Sequence, residues 1–149
     1  MRKIMAIDKF HEEFDWLSNF FPCQVKFEGL TFTSSEAAFQ AAKCADQNER
    51  EKFVNLSAGR TKRLGKKVNL REDWNKVRID VMREVLICKF SQNPGLKEKL
   101  IATGNEELIE GNNWNDRFWG VCRGVGQNHL GKLLMEMRKS FQENFEKSS

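Results

Sequence analysis

The chain reads as a mainly α-helical α+β fold with a small N-terminal β-hairpin or sheet, and three observations predict it. Several segments place apolar residues at three- and four-residue steps. One short segment alternates apolar and polar residues around a glycine. Nothing repeats, and no linker divides the 149 residues, so a single domain over 1–149 is expected, long enough to bury a substantial core.

The elements follow in order. "FDWLSNFFPC" is unusually aromatic for a loop; it is either ordinary core packing or a wall in which Trp16 and the phenylalanines meet a flat ring. "CQVKFEGLTFT" predicts a hairpin of Gln24–Phe27 and Leu30–Thr33 turning at Glu28-Gly29. A helix follows from about Ser34 to Cys44, and Thr33 with Glu36 has the spacing of a capping box. "NEREKFVNLSAGR" reads as a short helix, and the basic stretch after it as another short helix or loop interrupted by Gly65. The clearest helix runs from about Glu72 to Phe90, with Trp74, Val77, Val81, Val85 and Cys88 on one stripe. "NPG" breaks the chain before a short helix near Leu96–Ala102. Residues 103 to 128 are rich in Gly and Asn, and a last helix from about Asn128 to Phe145 is marked by Leu130, Leu134, Met137, Phe141 and Phe145.

Composition narrows the function classes. No apolar run approaches the roughly 18 residues that suggest a membrane span, and no signal-peptide pattern opens the chain. The expected location is cytoplasmic, with no membrane partner. Cys23, Cys44, Cys88 and Cys122 form no C-x-x-C pair, and the two histidines stand far apart. Free thiols are therefore expected rather than a structural metal site. The net charge of +4 is a mild excess, concentrated in "RTKRLGKKVNLR" at Arg60, Lys62, Arg63, Lys66, Lys67 and Arg71. Such a run serves either as a solvated face or as a phosphate-facing one.

The stretch that asks for chemistry is "FTSSEAAFQAAKC". At about 100° per residue, Gln40 lies about 40° from Glu36, and Lys43 about 20° away on the other side. An acid, an amide and an amine thus share one narrow face among Ala37, Ala38, Ala41 and Ala42. One reading is structural: a cap, a surface amide and a solvated C-terminal cation. The other is a pocket wall with a proton-transfer carboxylate, an orienting amide and a lysine of depressed pKa. The glycines of "GVGQNHLG", before a helix start, make a plausible phosphate loop without the G-x-G-x-x-G spacing. Asp116 beside Trp119 reads as a catalytic acid near an aromatic platform or as an Asx-turn. His11 and His129 sit in no triad motif, and neither G-x-S-x-G nor H-E-x-x-H occurs.

Taken together, "LSNFFP", "GLTFTSSEAAFQAAK", "DWNKVRIDVMREVLICKF" and "NDRFWGVCRGVGQNHLGKLLMEMR" resemble the NADAR family, the YbiA-like N-glycosidases. The resemblance covers most of the chain in one motif order. It implies a hydrolase that cleaves an N-glycosidic bond between ribose and a base or amine. Family substrates include riboflavin-pathway N-ribosyl pyrimidine phosphates, and related members remove ADP-ribose from modified guanine in nucleic acid. The implied partner is a small ribosyl-phosphate or ADP-ribosyl substrate, or modified nucleic acid. No metal or other cofactor is implied, and no oligomeric state.

Position by position, Glu36, Gln40 and Lys43 match the family's "SExxxQxxK" element. Asp116, Trp119 and Gly120 match "DxxWG", Asn128 and Gly131 match "NxLG", and Arg63 with Gly65 falls in a basic "RxG" segment. The resemblance makes Lys43 the expected nucleophile, attacking the anomeric carbon to give an imine with ring-opened ribose. Glu36 and Asp116 are the expected acids. Gln40, Trp119, Gly120, Asn128, Arg63, Lys62 and Asn19 are the expected substrate contacts, with Glu36, Gln40 and Lys43 facing one cavity shared with Trp119 and Asn128. A dissociative oxocarbenium route would use the same residues with Lys43 as an electrostatic contact. Many members carry histidine and an aromatic after the glutamate, where this chain has Ala37 and Ala38. Two rivals remain: a non-catalytic ADP-ribose-binding module, which would not need Lys43, and a basic nucleic-acid-binding protein.

Overall fold

The computed structural model describes residues 6–148, with side chains through 144. In chain order the elements are β1 (Ala6–Ile7), a 3-10 helix (Glu12–Leu17), β2 (Val25–Phe27), β3 (Leu30–Phe32), α1 (Ser35–Ala42), α2 (Gln47–Glu51) and α3 (Ala58–Leu64). Then come α4 (Trp74–Ser91), α5 (Pro94–Ala102), β4 (Glu107–Leu108), β5 (Gly111–Asn112), β6 (Val121–Cys122) and α6 (His129–Ser148). The expected mainly helical α+β class is the observed one. The chain falls into two compact units, one of Asn19–Pro94 and one joining the segment up to Ser18 with Gly95 onward.

In the Asn19–Pro94 unit, β2 and β3 pair antiparallel with Val25 opposite Phe32 and Phe27 opposite Leu30. Glu28 and Gly29 both take positive φ (49° and 84°), the backbone a two-residue hairpin turn requires. The end of α4 clamps this hairpin: Gln92 exchanges two hydrogen bonds with the Lys26 backbone, at 2.7 and 2.8 Å, and Asn93 donates to Gln24 O at 3.0 Å. On α4, Trp74, Val81 and Val85 are buried as the stripe predicts, while Val77 and Cys88 are only half-buried. The buried face is wider than expected, taking in Met82, Leu86, Phe90 and Lys89.

All eight residues of α1 are buried, and the helix packs against α2, α3 and α4. Four alanines allow that approach. The expected capping box does not form. Ser34 is the cap, its Oγ accepting from Ala37 N at 3.0 Å, while Thr33 Oγ1 donates to Leu56 O at 2.5 Å. The helix starts one residue later than the Thr33 spacing implies, because two hydroxyls in a row offered the cap and Thr33 found another acceptor.

In the other unit, β1 pairs parallel with β4, and β5 parallel with β6, each over two residues. The first joins segments far apart in sequence and the second segments close together; neither was expected from the Gly/Asn-rich stretch. Leu130, Leu134 and Met137 of α6 are buried, and Phe141 is half-buried. The Phe145 side chain lies outside the described residues. Trp16 and Leu17 are buried, so for Trp16 the core-packing reading holds.

Candidate active site

Glu36, Gln40 and Lys43 are brought onto one face of α1, as their spacing requires. Gln40 Nε2 donates to Glu36 Oε2 at 2.6 Å, and the two residues are 5% and 8% exposed. Gln40 is therefore no surface amide, and Glu36 is no capping-box acid. Among the described residues, Gln40 Oε1 is the one fully occluded side-chain N or O without a hydrogen-bond partner. It rests against Gly65, where a Cβ would fall inside contact distance of Oε1, 2.9 Å from Gln40 Cδ and 3.2 Å from Thr61 O. The "RxG" glycine and the "SExxxQxxK" glutamine are packed on each other.

Asn19 sets the other end of the line. Its backbone carbonyl accepts from Glu36 N at 3.0 Å, and its Oδ1 accepts from Ser35 Oγ at 2.8 Å. Its amide donates to Met82 Sδ at 3.5 Å. Asn19 thus ties the first turn of α1 to the preceding segment and to α4.

Lys43 closes α1 and is half-buried. Burial pushes its pKa below the ordinary lysine value, and Lys62 and Lys66 push the same way, while Glu36 opposes them. The neighbouring Cys44 thiol is pushed up to about 11, chiefly by burial. At neutral pH it stays protonated and does not compete as a nucleophile. The helix end is held by Arg71, which donates its backbone N–H to Lys43 O at 2.9 Å and its guanidinium to Ala42 O at 3.5 Å. Arg71 also pairs with Asp73 at 2.6 Å. The basic run is accordingly no uniform solvated face. Lys62 and Arg63 lie exposed on α3, with Lys62 Nζ 5.7 Å from the centre of the Phe20 ring.

Asp116, Trp119, Gly120 and Asn128 belong to the other unit and form a polar clip there. Asp116 Oδ1 accepts from Phe118 N at 3.1 Å and Trp119 N at 3.0 Å, the Asx-turn arrangement. Asn128 Oδ1 accepts from Glu110 N at 3.0 Å, and its amide donates to Leu108 O at 2.9 Å. Gly120 lies so close to Glu110 that a Cβ would overlap both its carboxylate and its carbonyl. Trp119 is half-buried, its ring 4.8 Å from Phe118. Part of the glycine loop's donor set is already used within the chain. The amides of Asn128, His129 and Leu130 already donate to Gly120, Phe118 and Trp119 carbonyls at 2.9 to 3.2 Å. Those donors are not available to an anion.

Lys89 and Arg138 were missed as buried cations. Lys89 and Arg138 fall at four-residue steps after Val85 and Leu134, inside apolar stripes. A cation on a stripe was the available signal. The four cysteines are free thiols, and among the described residues no group of three His, Cys, Asp or Glu side chains is placed to hold a metal ion. No helix among them is long and apolar enough to cross a membrane.

Glu36 and Gln40 of α1 and the half-buried Lys43 that caps it thus place a carboxylate, an amide and an amine of lowered pKa along one line of a mainly helical α+β fold. The NADAR domain family matches residues 7–142, and the chain belongs to that family. It is 37% identical to the N-glycosidase YbiA of Escherichia coli over 132 residues, covering 86% of this chain and 82% of YbiA. A riboflavin biosynthesis protein of Vibrio vulnificus is 38% identical over 137 residues, 89% of this chain, and the chain spans 37% of that protein's length. The NMR structure of E. coli YbiA superposes with a TM-score of 0.85 at 34% identity, over all of this chain and 90% of that one. An N-glycosidase of Nostoc punctiforme is 31% identical over 90% of each chain. N-glycosidases are hydrolases, and the chain is an enzyme of that class.

Proposed function

We propose that the protein hydrolyses the N-glycosidic bond of a ribosylated base bearing phosphate, with a riboflavin-pathway N-ribosyl pyrimidine phosphate as the first candidate and ADP-ribosylated guanine as the second. The observation that carries this reading is the Lys43 amine of lowered pKa on the same buried face as the Gln40-held Glu36 carboxylate. A neutral Lys43 attacks the anomeric carbon, the bond to the base breaks, and Glu36 delivers the proton the departing nitrogen needs. The first Nζ proton replaces the one Glu36 gave up, and transfer of the second to the ring oxygen O4′ breaks the C1′–O4′ bond and opens the ribose to an imine. Water then adds to the imine carbon, Glu36 takes and returns protons, and the C–N bond to Lys43 breaks to release the free sugar phosphate. We give the proton role to Glu36 rather than Asp116, because Asp116 Oδ1 is engaged with two backbone amides. Arg63 and Lys62, exposed on α3, receive the phosphate. The first candidate is preferred because sequence kinship extends to a protein named for riboflavin biosynthesis.

Borohydride added during turnover of the ribosyl pyrimidine phosphate tests the reading. A ribosyl adduct on Lys43 is expected, and Lys43→Arg should lose both the adduct and most of the turnover while keeping the fold. Near-normal turnover by Lys43→Arg would instead leave the dissociative route. Released base from the ADP-ribosylated guanine substrate alone would transfer the assignment to the second candidate.

A further inference from the structure

We propose that the cavity lined by Arg138, Lys139 and Asn105 binds a phosphate group. It is an open cleft of about 380 Å³, completed by Met135, Gln142 and Glu143, all within the unit that contains α6. The proposal does not rest on the N-glycosidase reading, and none of these residues belongs to the Lys43 cluster.

Arg138 carries the argument. It is 6% exposed, yet its one side-chain hydrogen bond runs from Nη1 to Thr103 Oγ1 at 2.9 Å. Among the described residues no carboxylate pairs with it within 4.0 Å, a costly arrangement for a buried guanidinium. Glu106 acts on it only as a partial counter-charge, and burial lowers its pKa despite that charge. Since Gln40 Oε1 is the occluded atom without a partner, the remaining Arg138 N–H groups are not fully occluded, and Arg138 lines the cleft. A planar fork with open donors at a cavity wall matches the oxygens of a phosphate.

The wall is also held still. Thr103 Oγ1 donates to Leu100 O at 2.6 Å, which fixes the hydroxyl that accepts from Arg138. Gln142, one turn further along α6, donates to Ile101 O at 3.4 Å and Gly104 O at 3.0 Å. The lining holds two cations, Arg138 and Lys139, and one acid, the exposed Glu143, while Glu106 outside the lining also acts on Arg138. The volume exceeds that of a phosphate ion and leaves room for an attached sugar.

The full-length protein is titrated with inorganic phosphate at constant ionic strength, with backbone amide and arginine side-chain NMR shifts as the readout. Saturable shifts at Thr103, Asn105, Arg138 and Lys139 are expected. Arg138→Gln should weaken binding by about ten-fold or more, as loss of charge-assisted hydrogen bonds implies. Lys139→Gln should weaken it by a smaller factor, and Glu143→Gln should tighten it. If Arg138→Gln does not fold, the two exposed-residue variants decide. Ribose 5-phosphate binding tighter than inorganic phosphate would identify a sugar phosphate as the ligand, and equal binding would identify free phosphate. Shifts that are linear in concentration and matched by chloride, or binding unaffected by Lys139→Gln and Glu143→Gln, would overturn the proposal.

Discussion

Replacing Gly65 with alanine tests the packing that orients the proposed acid. Gly65 has φ −61° and ψ −19°, so alanine meets no backbone strain there and restricts the unfolded chain, a gain of about 0.4–1 kcal/mol. Its Cβ, however, would overlap Gln40 Oε1, approach Cδ to 2.9 Å and Thr61 O to 3.2 Å. The carbonyl belongs to α3 backbone and yields little, so the Gln40 side chain must swing away. That breaks the 2.6 Å bond to Glu36, and a hydrogen bond to a charged group contributes about 1.5–3 kcal/mol. The net expectation is a loss of about 1–2 kcal/mol in urea unfolding, together with a fall in kcat of about ten-fold as Glu36 loses its orientation. In a Gln40→Ala background the clash is gone, and Gly65→Ala should become neutral or stabilising. Paired unfolding curves and single-turnover rates on the four proteins of this cycle measure the coupling. Equal destabilisation by Gly65→Ala with and without Gln40 would refute the reasoning, as would unchanged kcat in the single variant.

Three further outcomes follow from the same geometry. Lys66 repels the Lys43 ammonium, so Lys66→Gln should raise the Lys43 pKa and shift the rising limb of the pH–rate profile to higher pH; a shift to lower pH would contradict the assignment. Because the folded Lys43 pKa lies below the ordinary 10.5, the unfolded chain binds more protons between those two values. This residue's contribution to stability therefore rises with pH across that window, and Lys43→Met should flatten the pH dependence of urea midpoints there. Arg63→Ala should raise KM by about ten-fold and leave single-turnover chemistry in the bound complex nearly unchanged, since the residue is assigned to the phosphate.

Spacing alone put Glu36, Gln40 and Lys43 on one face, because helical periodicity is local and the alanines between them leave no other chemistry on that face. The hairpin was equally legible, since Glu28-Gly29 can take the backbone that a two-residue turn demands and its neighbours alternate. Helix boundaries were less so: Thr33 and Ser34 both offer a cap, and only the carbonyl of Leu56, 23 residues away, drew Thr33 off. The parallel pairings of β1 with β4 and β5 with β6 left no periodic trace, since two residues are too few to show alternation. The sequence also held the acid and the amide without their environment. That Gln40 is buried, that Gly65 presses on it and that Asn19 fixes the start of α1 are decided by segments brought together across tens of residues. Burial then turns the same three side chains from a solvated stripe into a carboxylate held at 2.6 Å and an amine whose charge is disfavoured, because desolvation is a property of what packs around a group and not of its place in the chain.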